Sequence, residues 1–218
     1  PVADLSLENT VEIAQFHRTL KSAFKGHPIH DALSVYSDFK GSANVRLNVK
    51  GPLEDFDKLA IAGEIDFQSV SLDEKDFEPR IENLNGKIIY THTPEVAQRK
   101  SEPWIRILQY KNLSGNFSNS KFTDLNGELG LSNGEPMERA TALYHLDASD
   151  LHWMIEEDSK DALLVLQEGL DFTSGSVLIN YRFEENPEKP ETEKEWGKIE
   201  LKNLAMKYHD RLQAMTRL

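Results

Sequence analysis

Seven histidines are the side chains of this 218-residue chain that are best suited to hold a metal ion. The closest spacing joins His27, His30 and Asp31 in a loop that contains glycine and proline but no third histidine. His145 and His152 lie on either side of a predicted strand-to-helix junction, where no further ligand is close in sequence. Cysteine is absent, which removes thiolate ligands, disulfides and thiol nucleophiles. The spacing therefore predicts no metal site, and it indicates no cofactor.

Acid–base and nucleophilic catalysis have no specific sequence signal. The 37 aspartate and glutamate residues are so numerous that a carboxylate pair for glycoside hydrolysis could be drawn almost anywhere. No Gly-x-Ser-x-Gly segment places a serine on a nucleophile elbow. We therefore predict that the chain is not an enzyme, and we keep a glycosidase as an alternative that a close carboxylate pair in a cleft would support.

The charge balance argues against two classes of partner. The 25 basic and 37 acidic residues give a formal net charge of −12. Nucleic acids and anionic membrane surfaces attract basic faces, because bound cationic side chains displace counterions. No apolar run approaches the ~20 residues of a membrane-spanning helix, and the first residues lack the basic and apolar regions of a signal peptide. We therefore expect no nucleic-acid partner.

Two segments have the hydrophobic period of amphipathic helices. The first is predicted over residues 9–24, and its apolar residues fall on one helical face: Ile13, Phe16, Leu20 and Phe24. Gly26 and Pro28 follow it and end the pattern. The second helix is predicted over residues 150–169 and ends at Gly169.

Most of the remaining chain alternates between polar and apolar residues, which is the pattern of strands with one buried face. The clearest example is residues 42–50, where every second side chain is apolar. Residues 64–68 repeat the pattern, and the apolar parity then changes at Val70, which predicts a β-bulge near Gln68 and Ser69. Further strands are predicted over residues 86–90, 105–113, 121–131, 141–146, 176–183 and 198–206.

Turns and loops are predicted from glycine, proline and charge. The pairs with the composition of tight turns are Gly51-Pro52, Asn85-Gly86, Asn126-Gly127 and Asn133-Gly134. Residues 184–195 contain two prolines, six glutamates and no apolar side chain, so they are predicted to form a solvated hairpin loop. A second charged loop is predicted over residues 52–58.

Two glycine-led strand pairs recur at a constant spacing. Residues 41–49 align with residues 175–183, and residues 63–72 align with residues 197–206, both at an offset of 134 (175 − 41 and 197 − 63). Each alignment keeps the leading glycine, the apolar parity and the change of parity at the bulge, so we predict a long internal repeat. It divides the chain into a helical lead-in at residues 1–40, a first β unit at 41–149, a helical segment at 150–174 and the start of a second β unit at 175–218.

Several short motifs follow one another in an order that resembles a known family. They are Gly-Ser-Ala-Asn-Val-Arg-Leu-Asn-Val at residues 41–49, Leu-Ala-Ile-Ala-Gly-Glu-Ile-Asp-Phe at 59–67, Ile-Glu-Asn-Leu-Asn-Gly-Lys-Ile at 81–88, Leu-Ser-Gly-Asn-Phe-Ser-Asn-Ser at 113–120 and Leu-Asn-Gly-Glu-Leu at 125–129. In this cadence the chain resembles AsmA-like proteins, which are envelope proteins of Gram-negative bacteria related to bridge-like lipid-transfer proteins. The resemblance spans about residues 41–131 and 175–206.

The resemblance implies a long, curved, mostly antiparallel sheet that forms an open groove with an apolar lining. It implies a role in outer-membrane biogenesis, in which phospholipid or another acyl-chain lipid crosses the periplasm in the groove without catalysis. It also implies envelope partner proteins and an inner-membrane anchor, which we expect to lie outside these 218 residues. The expected location is the periplasm, as part of an inner-membrane-anchored protein.

The residues themselves predict a mainly β chain with two amphipathic helices, an α+β class. The apolar strand faces leave two outcomes open, namely a closed sandwich that hides them or an open trough that needs a ligand. A sandwich that binds glycans or proteins is the alternative function, with Trp104, Trp153 and Trp196 as candidates to stack on sugars. The residues expected to form the apolar lining of a trough are Ala43, Val45, Leu47, Val49, Ile65, Phe67, Val177, Ile179, Tyr181, Ile199 and Leu201.

Overall fold

A computed structural model describes residues 2–23, 25, 30, 33–52, 54, 58–75, 77–93, 105–132, 135–151, 170–186 and 189–208. The described strands form one nine-stranded sheet whose neighbours are all antiparallel and whose strand order follows the chain. The strands are β1 (Val2–Glu12), β2 (Tyr36–Pro52), β3 (Ala60–Glu74), β4 (Phe77–His92), β5 (Ile105–Phe117), β6 (Ser120–Ser132), β7 (Glu135–Asp147), β8 (Leu170–Asn186) and β9 (Lys189–Tyr208). The prediction of a mainly β chain with an antiparallel sheet is confirmed.

The sheet is open within the described part of the chain. β1 and β9 lie at its two edges, and each pairs with a single neighbour. A sandwich needs two sheets packed face to face, with side chains of both filling the space between them. The described strands form a single sheet, so the sandwich alternative does not describe them.

One α-helix, α1 (Ile13–Ala23), follows β1 directly. Ile13 is buried, and Phe16 packs against the same core cluster, so the predicted apolar side of the helix faces the sheet. The predicted start at residue 9 is wrong, because residues 9–12 pair with residues 42–45 as the end of β1.

A 3-10 turn (Ala148–Asp150) follows β7. Because β1 and β7 run in the same direction, this turn and α1 lie at the same end of the sheet, which we call the helical end. We call the opposite end the far end. The second predicted helix, over residues 150–169, lies outside the described residues except for Asp150 and Leu151.

Alternation along each strand places the side chains on two faces of the sheet. Directly paired residues lie on the same face, so the register traces one row of neighbours across seven strands. The row is Val45, Ile65, Ile88, Tyr110, Gly127, Ala140 and Phe183. We call the face that carries this row the apolar face, and the opposite face, which carries Arg46 and Glu64, the charged face.

Left-handed residues mark β-bulges in several strands. Ser69 has a φ of 51°, and the pairing register shifts between Phe67 and Val70, which confirms the predicted bulge. Asn112 and Asn203 have φ values of 51° and 50°. An aliphatic side chain that packs in or against the hydrophobic core follows each of these three residues: Val70, Leu113 and Leu204.

Two predicted turns are wrong, because Asn85-Gly86 lies inside β4 and Asn126-Gly127 lies inside β6. Gly86 has a φ of 112°, a positive value that glycine adopts without strain. A β-bulge and a tight turn can both require such a φ, so the same residue suits either. Residues 133–134 lie outside the described residues, as does most of the predicted loop at 52–58.

The predicted loop at residues 184–195 is also wrong. β8 continues to Asn186, and β9 begins at Lys189. Charged side chains and proline are common on edge strands, where they hinder pairing with other molecules, so this composition is compatible with a strand at the edge of a sheet.

Candidate functional site

The eleven residues predicted to form an apolar lining share one face of the sheet. In the first hairpin, Val45 pairs with Ile65. In the last hairpin, Ile179 pairs with Ile199. The row that defines the apolar face joins the two hairpins through β4–β7, so both contribute to one continuous surface.

The exposure of these residues differs widely. Ala43 and Val45 on β2 are 0% and 2% exposed, whereas Ile199 and Leu201 on the edge strand β9 are 65% and 63% exposed. Phe67 and Val177 are buried as well. The intermediate members are Leu47, Val49, Ile65, Ile179 and Tyr181. The predicted lining therefore contains core residues, which hold the fold, and accessible residues, which a ligand can reach.

The helical end of the apolar face is a packed hydrophobic core that includes Ile13 of α1. Besides Phe67, its buried members from β3 to β7 are Val70, Leu72, Leu84, Leu113, Phe117, Phe122 and Leu146. The sequence analysis did not include them in the lining. Three of them, Val70, Leu84 and Leu113, directly follow a left-handed Ser or Asn residue. A Ser or Asn followed by an aliphatic residue, inside a segment that alternates between polar and apolar residues, is the sequence signal that could have located these core residues.

Glutamates and tyrosines lie on the apolar face toward the far end. The Tyr110 hydroxyl donates to Glu138, and the Tyr181 hydroxyl donates to Glu195. Burial first, and then the hydrogen bond and charge of its glutamate, raises the pKa of each tyrosine, so both remain hydroxyl donors at neutral pH. Glu185 pairs directly with Glu138. Across β5 to β9, the face therefore changes along the strands from an apolar core to a polar, acidic rim.

A depression of about 320 Å³ lies at the far end, among β1 to β4. Its lining includes the row Ser6, Asn48, Ala62 and Thr91, which pair in this order across the four strands. Asn48 has the parity of Arg46, so the depression opens on the charged face and not on the apolar face.

The charged face carries ion pairs that cross the strands. Arg46 Nε donates to Glu8 on β1 at 2.8 Å, and Lys87 Nζ donates to Glu64 on β3 at 2.8 Å. Further along, Glu128 on β6 accepts from both Arg106 and Arg139. Opposite charges across an antiparallel pair stabilise it, so these ion pairs hold neighbouring strands together.

Among the described histidines, His17 has contacts that give it a structural role. His17 Nε2 lies 2.8 Å from the carbonyl oxygen of Leu33, and its ring centroid lies 4.5 Å from that of Phe39. Burial first, and then the charges of Lys121 and Lys202, lowers the pKa of His145. Within the described residues, no group of three His, Cys, Asp or Glu side chains is arranged to hold a metal ion. His27, Asp31 and His152 lie outside those residues.

Asp150 is a buried carboxylate at the helical end. It accepts hydrogen bonds from Ser118 Oγ at 2.9 Å, from the Asn119 amide at 2.9 Å and from Ser120 Oγ. These donors clamp the turn between β5 and β6 onto the 3-10 turn after β7. Because three donors satisfy the carboxylate, its role is structural.

No family model, curated protein or solved structure matches this chain. Among the described residues, no helix combines the length and hydropathy that crossing a bilayer requires. A functional assignment therefore rests on the chemistry of the two faces and of the sheet edges.

Proposed function

We propose that the sheet curves into a groove whose apolar face binds the acyl chains of a phospholipid or a similar lipid. The observation that carries the proposal is the continuous apolar face, against which α1 packs at the helical end. Contiguous exposed apolar surface is unfavourable in water and marks interaction sites. Binding of this kind needs no catalytic residue.

Acyl chains fit the chemistry of this face. Each buried methylene contributes about 0.8 kcal/mol without requiring a directed hydrogen bond, so a mixed aliphatic and aromatic surface is sufficient. The polar rim, with Tyr110, Glu138 and Glu185, lies at the end of the face where a lipid that inserts toward the helical end would meet water, and its carboxylates favour a headgroup that carries an ammonium group over a purely anionic one. The exposed aliphatic residues Ile199 and Leu201 extend the surface to the sheet edge.

The internal repeat of 134 residues belongs to the same proposal. Ser42 pairs with Gln68, and the residues 134 positions later, Ser176 and Lys202, also pair. Gly41 and Gly175, which are related by the same offset, have φ values of 101° and 108°. A repeated β unit provides a way to lengthen a groove along its axis. With the resemblance to AsmA-like proteins, this supports a non-catalytic role in lipid transport in the periplasm of a Gram-negative bacterium.

Adjacent residues on β2 provide a matched test. Leu47 is half-buried on the apolar face, and Asn48 is exposed on the charged face. We expect Leu47→Asp to reduce labelling by a photoactivatable fatty acid at least tenfold, because a carboxylate on the apolar face would lack a partner. Asn48→Asp adds the same charge to the same strand and should leave labelling unchanged.

Native mass spectrometry of the purified protein should also detect bound phospholipid. Circular dichroism must show that both variants are folded, which is why Leu47 is preferred to the more buried Val45. Equal labelling of the two variants, or a wild-type protein that neither carries lipid nor is labelled, would overturn the proposal.

A further inference from the structure

Two strands contain the same four-residue segment, and its first residue is left-handed in both. β4 contains Asn83-Leu84-Asn85-Gly86, and β6 contains Asp124-Leu125-Asn126-Gly127. The first residues, Asn83 and Asp124, have φ values of 52° and 53°. The two leucines pack in or against the hydrophobic core. We call this sequence the Asx-Leu-Asn-Gly segment.

The asparagine of the β4 segment connects two strands. Asn85 Nδ2 donates to the carbonyl oxygen of Asn83 at 2.6 Å, and Asn85 Oδ1 accepts from the Ser69 amide on β3 at 3.0 Å. Ser69 is the left-handed residue of the β3 bulge. A bulge interrupts the regular ladder, and the side chain satisfies an amide at that interruption.

The asparagine of the β6 segment makes the same two bonds. Asn126 Nδ2 donates to the carbonyl oxygen of Asp124 at 2.8 Å, and Asn126 Oδ1 accepts from the Asn112 amide on β5 at 2.9 Å. The pairing registers also agree. Between β3 and β4, Phe67 pairs with Gly86 and Val70 pairs with Leu84. Between β5 and β6, Tyr110 pairs with Gly127 and Leu113 pairs with Leu125. A bulged strand followed by an Asx-Leu-Asn-Gly strand is therefore a recurring unit of this sheet.

β9 has the same bulge, but no strand of the described sheet lies on its outer side. Its left-handed residue, Asn203, has a φ of 50°. A Cβ atom added at Gly175 of β8 would lie 2.6 Å from the Asn203 carbonyl oxygen, and one added at Gly41 of β2 would lie 3.0 Å from that of Ser69. The bulge of β9 therefore approaches its preceding strand as the bulge of β3 does.

We infer that the open edge of β9 binds an antiparallel strand that carries an Asx-Leu-Asn-Gly segment. By the register of β3 with β4, the incoming glycine lies opposite Leu201 and the incoming leucine opposite Leu204. The incoming asparagine accepts from the Asn203 amide. Strand addition of this kind takes its affinity from main-chain hydrogen bonds and its specificity from alternate side chains.

Side chains further along β9 favour a strand like β4. Lys87 pairs with Asp66 on β3, and the corresponding residue of β9 is Glu200. Ile88 pairs with Ile65 on β3, and the corresponding residue is the exposed Ile199. At both positions β9 therefore has the same type of side chain as β3, which is acidic in one case and aliphatic in the other. This inference does not depend on what the apolar face binds.

A synthetic peptide with the sequence of residues 79–92, labelled with fluorescein, tests the inference in a titration with the intact protein. We expect a saturable rise in fluorescence anisotropy. A peptide with Asn85→Ala should bind about three- to tenfold more weakly, because it lacks one hydrogen bond. Equal affinity of the two peptides, or an absence of saturable binding, would overturn the inference.

Two protein variants show which edge is used. Ile199→Glu on β9 should weaken binding of the peptide at least tenfold, because the glutamate would face Ile88 of the peptide. Leu7→Glu makes the same kind of change at an exposed position on β1, the opposite edge, and should leave binding unchanged. A peptide that displaced the protein's own β4 would be insensitive to Ile199→Glu, and that result would also overturn the inference.

Discussion

The hairpin of β2 and β3 and the hairpin of β8 and β9 share one geometry but have different surroundings. Their pairing registers agree, and their bulge residues, Ser69 and Asn203, have φ values of 51° and 50°. Phe67 in the first is 8% exposed, whereas Leu201 at the corresponding position of the second is 63% exposed. Local sequence determines the shape of each hairpin, and neighbouring elements determine which of its side chains are buried.

The largest difference that we predict between the two hairpins is in the energetic cost of truncating their apolar side chains. Phe67→Ala should lower the free energy of unfolding by about 3 to 5 kcal/mol, because it leaves a cavity in the core. Leu201→Ala should lower it by less than about 1 kcal/mol, because the side chain is already exposed to water. Urea unfolding followed by circular dichroism measures both, and similar losses would mean that the hairpins are equally buried in solution.

The two leading glycines of the hairpin of β2 and β3, Gly41 and Gly63, should differ in how far their replacement by alanine lowers the free energy of unfolding. Gly41 has a φ of 101°, and a Cβ atom there would lie 3.0 Å from the Ser69 carbonyl oxygen, so Gly41→Ala should cost about 1 to 3 kcal/mol. The nearest atom to a Cβ at Gly63 is 3.8 Å away, and Gly63→Ala should stay within about 0.5 kcal/mol of wild type. The same unfolding assay compares them, and a neutral Gly41→Ala would contradict the strained geometry.

The smallest contrast concerns carboxylates of the charged face. The side chain of Glu128 on the inner strand β6 is 10% exposed. Burial raises the pKa of Glu128, but the hydrogen bonds and charges of Arg106 and Arg139 outweigh burial, so its pKa lies below the ordinary value. Glu128→Gln should cost about 1 to 2 kcal/mol at pH 7. Glu200 on the edge strand is paired with Lys198 on an exposed surface, and Glu200→Gln should have no measurable effect.

The pH dependence of the Glu128 contribution has a definite sign. A carboxyl whose pKa is lower in the folded than in the unfolded protein stabilises the fold above the unfolded value of about 4.3. That stability is lost as the pH falls through the folded pKa. Urea unfolding at a series of pH values should therefore show the difference between wild type and Glu128→Gln shrinking below about pH 4. A difference that stays constant there would show that the pair contributes through packing alone.

Strand positions and side-chain parity were predictable, because alternation is a local property. Val45, Leu47 and Ile65 lie on one face, as their spacing indicates, and the change of parity at Val70 located a bulge that the structure contains at Ser69. The role of the Asn-Gly pairs was not predictable from the dipeptide, because positive φ serves a bulge and a turn equally well. Gly86 illustrates this ambiguity, since it lies within β4.

Other errors arose from tertiary context. Residues 9–12 fit a helical period, but pairing with β2 extends them as the end of β1. The charged residues 184–195 have the composition of a solvated loop, yet hydrogen bonding between β8 and β9 orders most of them as strands. The polar rim was also missed, because Tyr110 and Glu138 become neighbours only when β5, β6 and β7 are aligned.

The strand order has a consequence for how this sheet assembles. Every described strand pairs with its neighbour in the chain, so no pairing has to wait for a segment beyond the next strand. Such a sheet can grow from an early hairpin by adding one strand at a time, with α1 and the Asp150 clamp closing locally at the helical end. Its unfolding should begin by fraying at β1 and β9, while the central hairpins retain slow amide hydrogen exchange.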